Sequence, residues 1–329
     1  MRRLLISIIA VTLLSSSQCK KEESDIPNNN IDYKKEMRQF VIGISEYSKK
    51  IDTNFIIIPQ NGIELISTTG DENGSVSTEY SNAIDGNGQE DLFYGYDNDN
   101  EATPTNTMNY LKTFLNLSAN NSNTILVTDY CSDHSKMDDS YLKNNNLSYK
   151  SFAANHRGLD NIPDYPIYIM NESSNDITKL SDIKNFLYII NPENFSSKSD
   201  FINAIKATNY DLIIMDLFFN DNIEFTTPEI KLLKKKANGG KRLVISYMSI
   251  GEAENYRYYW KTTWENNKPF WLDEENPDWE GNYKVHYWEK EWQDIIYGNN
   301  DSYIKKIMNA GFDGAYLDII DAFDYYESK

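Results

Sequence analysis

Short apolar runs recur eight times along this 329-residue chain, and helical stripes separate several of them. The last run ends in two carboxylates, close to the C-terminal end of the sequence. These features predict an α/β protein of the (β/α)8 TIM-barrel class with a circularly permuted chain order. The rotation is argued from GFDGAYLDIIDAF (Gly311 to Phe323), after which six residues remain. So apolar a strand belongs inside a parallel sheet, where a crossover helix and another strand must follow it. Residues 32–62 read as a helix and then a buried strand, and supply that continuation from the other end of the chain. A doubly wound sheet fits the alternation almost as well, but no glycine-rich phosphate loop of the dinucleotide or P-loop kind occurs.

Taken in order, Met1 to Cys19 reads as a bacterial lipoprotein signal. Arg2 and Arg3 form its charged start, and Leu4 to Leu14 form an apolar stretch too short to span a bilayer. Cys19 is the expected lipidation site, with Gln18 where a small residue is usual; without lipidation the segment is a plain secretory signal. Residues 20–31 are polar and contain a proline, which suits a tether. The expected folded domain is 32–329. Its strands are expected at Asn54–Pro59, Asn82–Asp85, Thr124–Asp129, Ser148–Ala153, Phe186–Asn191, Asp211–Leu217, Arg242–Ser249 and Gly314–Ile319. Many are continuously apolar, as strands covered on both faces should be. Met37, Phe40, Val41, Ile44 and Tyr47 form the clearest helical stripe, and Thr227-Pro228-Glu229 opens a helix. The Asn/Ser/Asp-rich stretches 70–82, 96–107, 115–124 and 131–147 read as surface loops.

The formal net charge is −18, with 40% hydrophobic and 13% aromatic residues. That composition supports a sizeable core and argues against disorder. The charge disfavours nucleic acid and anionic membrane surfaces as partners, and favours a neutral or cationic ligand. It also serves simple solubility. Membrane contact is expected only through the lipid anchor. Cys131 alone remains after Cys19, so a disulfide framework and a cysteine-rich metal site are excluded. His134, His156 and His286 are scattered without ligand spacing, and no G-x-S-x-G elbow occurs. No cofactor or metal is expected, although a carboxylate site for a hard cation stays open.

A TIM barrel builds its active site at the C-terminal ends of its strands. Polar residues expected there are Gln60, Asn61, Asp85, Glu90, Asp91, Asp129, Tyr130, Asn155, His156, Arg157, Asp216, Tyr247, Ser249, Glu252, Glu254, Asp318 and Asp321. Any one carboxylate is more often a helix cap or a loop acceptor. Their accumulation on one rim is what points to a site, because carboxylates at the ends of apolar strands are costly to bury unless paired or used. Paired carboxylates are the apparatus of glycoside hydrolysis. All six tryptophans fall between Ser249 and Ile304, either as sugar-stacking faces or as a local core under a long insertion.

LVISYMSIGEAENYRYYW (243–260), ENPDWEGNYKVHYWEKEWQDII (275–296) and GFDGAYLDIIDAFDYYE (311–327) resemble the bacterial lineage of glycoside hydrolase family 114, the endo-α-1,4-polygalactosaminidase-like TIM-barrel proteins. FVIGISEYSKK (40–50), FIIIPQNG (55–62) and AIDGNGQEDLFYG (83–95) resemble the same family. In typical members the helix and strand found here at 32–62 follow the LDIID strand, so the resemblance also implies permutation. It implies that residues 325–329 lie near 31–33 and that about 159–185 joins the former ends. It further implies a catalytic Asp and Glu. The Asp carries over to Asp318 as nucleophile or stabiliser. The Glu carries over to Glu90 as general acid/base, with Asp85 as the fallback. Substrate-binding positions are expected at Gln60, Asn61, Asp85, Asp129, Asp216, Tyr247, Glu252, Glu254 and Asp321. The implied substrate is an α-1,4-linked, galactosamine-rich polysaccharide, cationic where deacetylated. The alternative expectation is a non-catalytic, surface carbohydrate-binding lipoprotein on the same barrel. Either is expected at the bacterial cell envelope, lipid-anchored, or secreted if Cys19 is unmodified.

Overall fold

The computed structural model describes residues 31–220 and 223–329. The expected signal, Cys19 and the expected tether up to residue 30 lie outside the described residues. Helix α1 (Tyr33–Ile51) starts where Asp32 accepts from the Lys35 N–H at 2.9 Å, and it buries Met37, Phe40, Val41 and Ile44. It leads into β1 (Ile56–Pro59). The chain then forms α2 (Thr78–Ala83), β2 (Gly86–Glu90), α3 (Thr105–Asn120), β3 (Thr124–Tyr130), α4 (His134–Asn146) and β4 (Lys150–Ala154). Next come β5 (Leu187–Tyr188), α5 (Lys198–Lys206), β6 (Leu212–Asp216), α6 (Thr227–Leu233) and β7 (Leu243–Ser249). An insertion carries β8 (Glu252–Glu254), β9 (Leu272–Glu275) and β10 (Asn282–Val285), followed by α7 (Lys290–Ile296). α8 (Tyr303–Ala310), β11 (Gly314–Asp318) and α9 (Ala322–Glu327) complete the described chain.

The architecture is mixed α/β with two parallel sheets and one antiparallel sheet. One parallel sheet has the order β1-β11-β7-β6-β5, the other β2-β3-β4. β1 and β11, far apart in sequence, pair in register from Ile56–Gly314 to Pro59–Leu317. The two parallel sheets exchange hydrogen bonds at β1 and β2, where Asp85 N–H donates to Ile57 O and Asn61 N–H to Gly88 O, both at 2.9 Å. At their other margins Ile190 N–H donates to Leu159 O at 3.0 Å. Helices α1 and α9 meet as expected: Tyr33 stacks on Tyr326 with ring centroids 5.5 Å apart, and Lys34 pairs with Glu327.

Three expectations about local structure are corrected. The second strand is Gly86–Glu90, not Asn82–Asp85; Thr78–Ala83 is helical instead. GNGQE carries almost no apolar side chain, yet it is buried. It is central because Gly88 leaves room for Tyr316 of β11: a Cβ at 88 would lie 1.9 Å from the Tyr316 hydroxyl. Secondly, the polar stretches read as loops contain most of α3 and α4. α3 buries Phe114, Leu115 and Ser118, and α4 buries Met137, Ser140, Tyr141 and Asn144. Those positions recur every three or four residues, so the helical period is present but partly written in Ser and Asn. Thirdly, the long insertion after β7, in which no strand was expected, carries three. It folds as the antiparallel sheet β8-β10-β9. Trp260, Trp264, Trp271 and Trp292 pack in series beside it, with centroid spacings of 5.1–5.3 Å.

Gly88→Ala is expected to cost about 1–3 kcal/mol of stability by overpacking, read as a lower urea midpoint. Tyr316→Phe deletes a buried hydroxyl that has no partner. It is expected to be neutral alone and to recover only part of the Gly88→Ala loss, because the ring carbon Cζ would still sit 2.5 Å from the new methyl. Full tolerance of Gly88→Ala would show that this contact does not set the sheet spacing.

Candidate active site

The C-terminal ends of the parallel strands open into a cavity of about 910 Å³. Its lining carries eight carboxylates against two guanidinium groups, so an anion is disfavoured there. Three strands reach it and then turn sharply. Asn61, Asp91 and Ile319, the residues that follow or flank the ends of β1, β2 and β11, all have left-handed backbones with φ of 59°, 57° and 58°. For a β-branched residue such as Ile319 that conformation is strained by about 1–3 kcal/mol. The turn is held from outside. Asp318 O accepts from Ile250 N–H at 3.0 Å. Gly251 lies so close that a Cβ there would meet Ile319 O at 2.0 Å.

Glu90 stands at the end of β2, caged by neutral donors. Gln60 Nε2 and Asn61 Nδ2 donate to its Oε2 at 2.6 and 3.0 Å, and the Tyr130 hydroxyl donates to Oε1. Gln60 is oriented by the Tyr188 hydroxyl, which donates to its Oε1 at 2.9 Å. Glu90's own N–H donates to Asn61 Oδ1 at 3.0 Å, so the cage is reciprocal. Three donors thus converge on the two oxygens of this one side chain. Asp318, at the end of β11, accepts from the Tyr247 hydroxyl at 2.8 Å. Burial, and then the negative charge of Glu90, push Asp318 up to about 8. Asp321 is pushed up to about 7 by burial and by Asp324 and Glu90. At neutral pH Asp318 therefore keeps its proton beside the caged Glu90 side chain.

On the opposite wall the acids are neutralised. Arg257 is almost fully buried and forks between two carboxylates. It donates to Asp216 Oδ2 at 2.7 Å and Oδ1 at 3.1 Å, and to Glu254 Oε2 at 2.7 Å and Oε1 at 3.1 Å. Tyr256 adds a 2.7 Å bond to Glu254. Glu252, fully buried, takes Lys284 Nζ at 2.5 Å and Asn276 Nδ2 at 2.8 Å on Oε1, while Oε2 is left without a partner.

Of the residues expected at the site, Gln60, Asn61, Glu90, Asp216, Tyr247, Glu252, Glu254, Asp318 and Asp321 line this one cavity. Tyr130 and Arg157 line it too, whereas Asp85, Asp91, Asp129, Asn155, His156 and Ser249 do not. Asp85 precedes β2 and so sits at the opposite rim, where it pairs with Lys49 at 2.9 Å and accepts from Ile57 N–H at 2.8 Å. Asp129 points to the other face of β3 from Tyr130, since side chains alternate along a strand. It is buried under α4, accepting from Ser140, Asn144 and the backbone of Phe93 at 2.6, 3.2 and 2.8 Å. Of the two neighbours expected at the end of β3, only Tyr130 reaches the cavity. Tyr188 and Arg257 had no expected role. The Glu254–Arg257 spacing of three residues is the one sequence signal that pointed to the Arg257 fork. Among the described residues no group of three His, Cys, Asp or Glu side chains is placed to hold a metal ion. No described helix is long and apolar enough to cross a membrane.

The sequence model of glycoside-hydrolase family GH114 matches residues 178–329, and similarity to that family suggests glycoside hydrolase activity. An uncharacterized protein of Methanocaldococcus jannaschii is 40% identical over 157 residues, which cover 47% of this chain and 42% of that one. Uncharacterized proteins of Thermotoga maritima and Deinococcus radiodurans are 38% and 35% identical over 127 and 128 residues, 38% and 39% of this chain. The matched stretches span 37% and 39% of those two proteins, so this chain spans about two fifths of the length of these relatives. Asp216, Tyr247, Glu252, Glu254, Asp318 and Asp321 fall inside the family match, whereas Gln60, Asn61 and Glu90 fall outside it.

The charge pair makes a stability prediction. An aspartate in the unfolded chain titrates near ~3.9, whereas Asp318 in the folded protein titrates at about 8. Between those values the folded state holds a proton that the unfolded state has released, so stability falls as pH rises through that window. Asp318→Asn is expected to melt a few degrees above the wild type near neutral pH, and with it once the pH is below the unfolded value. Equal melting temperatures at both pH values would contradict the raised pKa.

Proposed function

We propose that this protein is a glycoside hydrolase that cleaves α-1,4-linked, galactosamine-rich polysaccharide with Glu90 and Asp318. The observation that carries the reading is the pairing itself: two acids lining one cavity, one held by neutral donors and one pushed to hold a proton. Asp318 donates that proton to the glycosidic oxygen as the bond to the anomeric carbon breaks, and the bonding electrons leave with the oxygen. Glu90 either attacks the anomeric carbon or takes a proton from the water that does. These roles are the reverse of those expected from the resemblance, and the reason is electrostatic. Tyr247 donates to Asp318 and makes ionisation easier, which suits a group that must release its proton in the transition state.

The excess of cavity carboxylates supports a substrate bearing ammonium groups. The pairing of β1 with β11, together with the hydrogen bonds between β1 and β2 and between residues 159 and 190, supports one closed eight-stranded barrel. The same β1–β11 pairing supports a permuted order, as does a family match confined to 178–329 while FIIIPQNG lies before it. The reading places the protein at the bacterial cell envelope, held by lipid on Cys19. Metabolic labelling with a fatty acid is expected to mark the full chain and not a Cys19→Ala variant; an unlabelled full chain would remove the anchor.

Reducing-end release from partly deacetylated α-1,4-galactosamine polymer tests the activity. The wild type is expected to cleave it, with Glu90→Gln and Asp318→Asn each slower by at least about a hundredfold. The basic limb of kcat/KM should fall near the pKa of Asp318, about 8, and move upward in Tyr247→Phe, which loses the bond that favours the ionised form. Binding without turnover by the wild type would replace the hydrolase with a carbohydrate-binding protein. Unchanged rates in both carboxylate variants would remove the pair.

A further inference from the structure

Five of the six tryptophans are absorbed into packing. Trp264, Trp271 and Trp292 are buried, and Trp260 and Trp288 are half-buried against the core. Trp279 is different. It is 63% exposed, and it nevertheless lines the cavity. It stands on the turn between β9 and β10, not on the ring of strand ends that carries Glu90 and Asp318. Among the described residues no aromatic ring pairs with its indole.

That turn is rigid. Trp279 N–H donates to Asn276 O at 3.2 Å, and Asn282 N–H donates back to Trp279 O at 3.1 Å. Gly281, with φ of 86°, places its N–H 2.7 Å from Glu275 Oε1. Asn276 ties the turn to the cavity wall through Glu252 at 2.8 Å. One exposed hydrophobic side chain is ordinary by itself; Trp279 stands out because it lines the cavity from a hydrogen-bonded turn. Its neighbours suit a sugar: Tyr256, Glu280 and Asn282 line the cavity beside it and offer a second ring, a carboxylate and an amide.

We propose that Trp279 is the floor of an additional sugar subsite, stacking on the apolar face of a pyranose ring outside the bond that is cut. The inference rests on the saccharide reading of the cavity, though not on turnover. It makes affinity depend on chain length, because only a ligand long enough to reach the insertion gains the contact.

Isothermal titration of the Glu90→Gln protein with a deacetylated α-1,4-galactosamine hexamer tests it. Adding Trp279→Ala is expected to weaken binding roughly tenfold, with part recovered by Trp279→Phe. Phe270→Ala, which alters an exposed aromatic on the same insertion outside the cavity lining, is expected to change nothing. Hexamer should shift indole emission to the blue, and the shift should vanish in Trp279→Phe. With active protein, Trp279→Ala should raise KM for polymer and leave kcat. Equal affinity and emission in the Trp279 variants would overturn the subsite and leave the hydrolase reading standing. Trp279-dependent binding without reducing-end release by the wild type would do the opposite. A hexamer that does not bind overturns both.

Discussion

The site depends on the repulsion between Glu90 and Asp318. Two carboxylates facing one buried mouth cannot both be charged at low cost. Three neutral donors hold Glu90. Burial, and then the nearness of Glu90, keep the proton on Asp318. The rest of the surroundings serve that division. Tyr188 fixes Gln60, so the amide presents nitrogen to Glu90 and oxygen away from it. The left-handed residues at 61, 91 and 319 turn the chain just past each strand end, so the polar side chains remain at the mouth. The backbone strain at Ile319 is tolerated because Ile250 and Gly251 close on it from β7.

The opposite wall shows the other solution to the same electrostatic problem. Asp216 and Glu254 would repel each other as Glu90 and Asp318 do, but Arg257 is forked between them. Removing one partner from such a buried cluster commonly costs about 3–5 kcal/mol, because the remaining charges lose their compensation. One wall is thus fixed in charge and geometry, while the other is free to exchange a proton. A cavity that combines a rigid neutralised wall with an excess of acid fits the cationic sugar polymer proposed as substrate.

How much of this was legible in the sequence varied with the kind of signal. Continuous apolar runs located β1, β3, β4, β6, β7 and β11 to within two residues, because burial on both faces leaves little choice of side chain. β2 was misplaced because its residues are chosen for smallness. Gly88 exists to admit Tyr316, a contact between segments 228 residues apart that no local pattern announces. α3 and α4 were hidden because Ser118, Ser140 and Asn144 occupy inward positions where a hydrophobic residue is usual. The same blind spot explains Asp129, whose partners are those inward Ser140 and Asn144 side chains. For acids at strand ends the chemistry was readable, but facing was not. A shift of one residue separates Tyr130 at the mouth from Asp129 beneath a helix.

The proton on Asp318 can be observed directly. Carbon-13 labelling of the aspartate carboxyls, with Asp318→Asn to assign the resonance, gives its titration curve in the free protein. Asp318 is expected to stay protonated at pH 7 and titrate at about 8, with a midpoint that drops in Glu90→Gln. An Asp318 resonance that titrates in the ordinary carboxylate range, and ignores Glu90→Gln, would contradict this expectation.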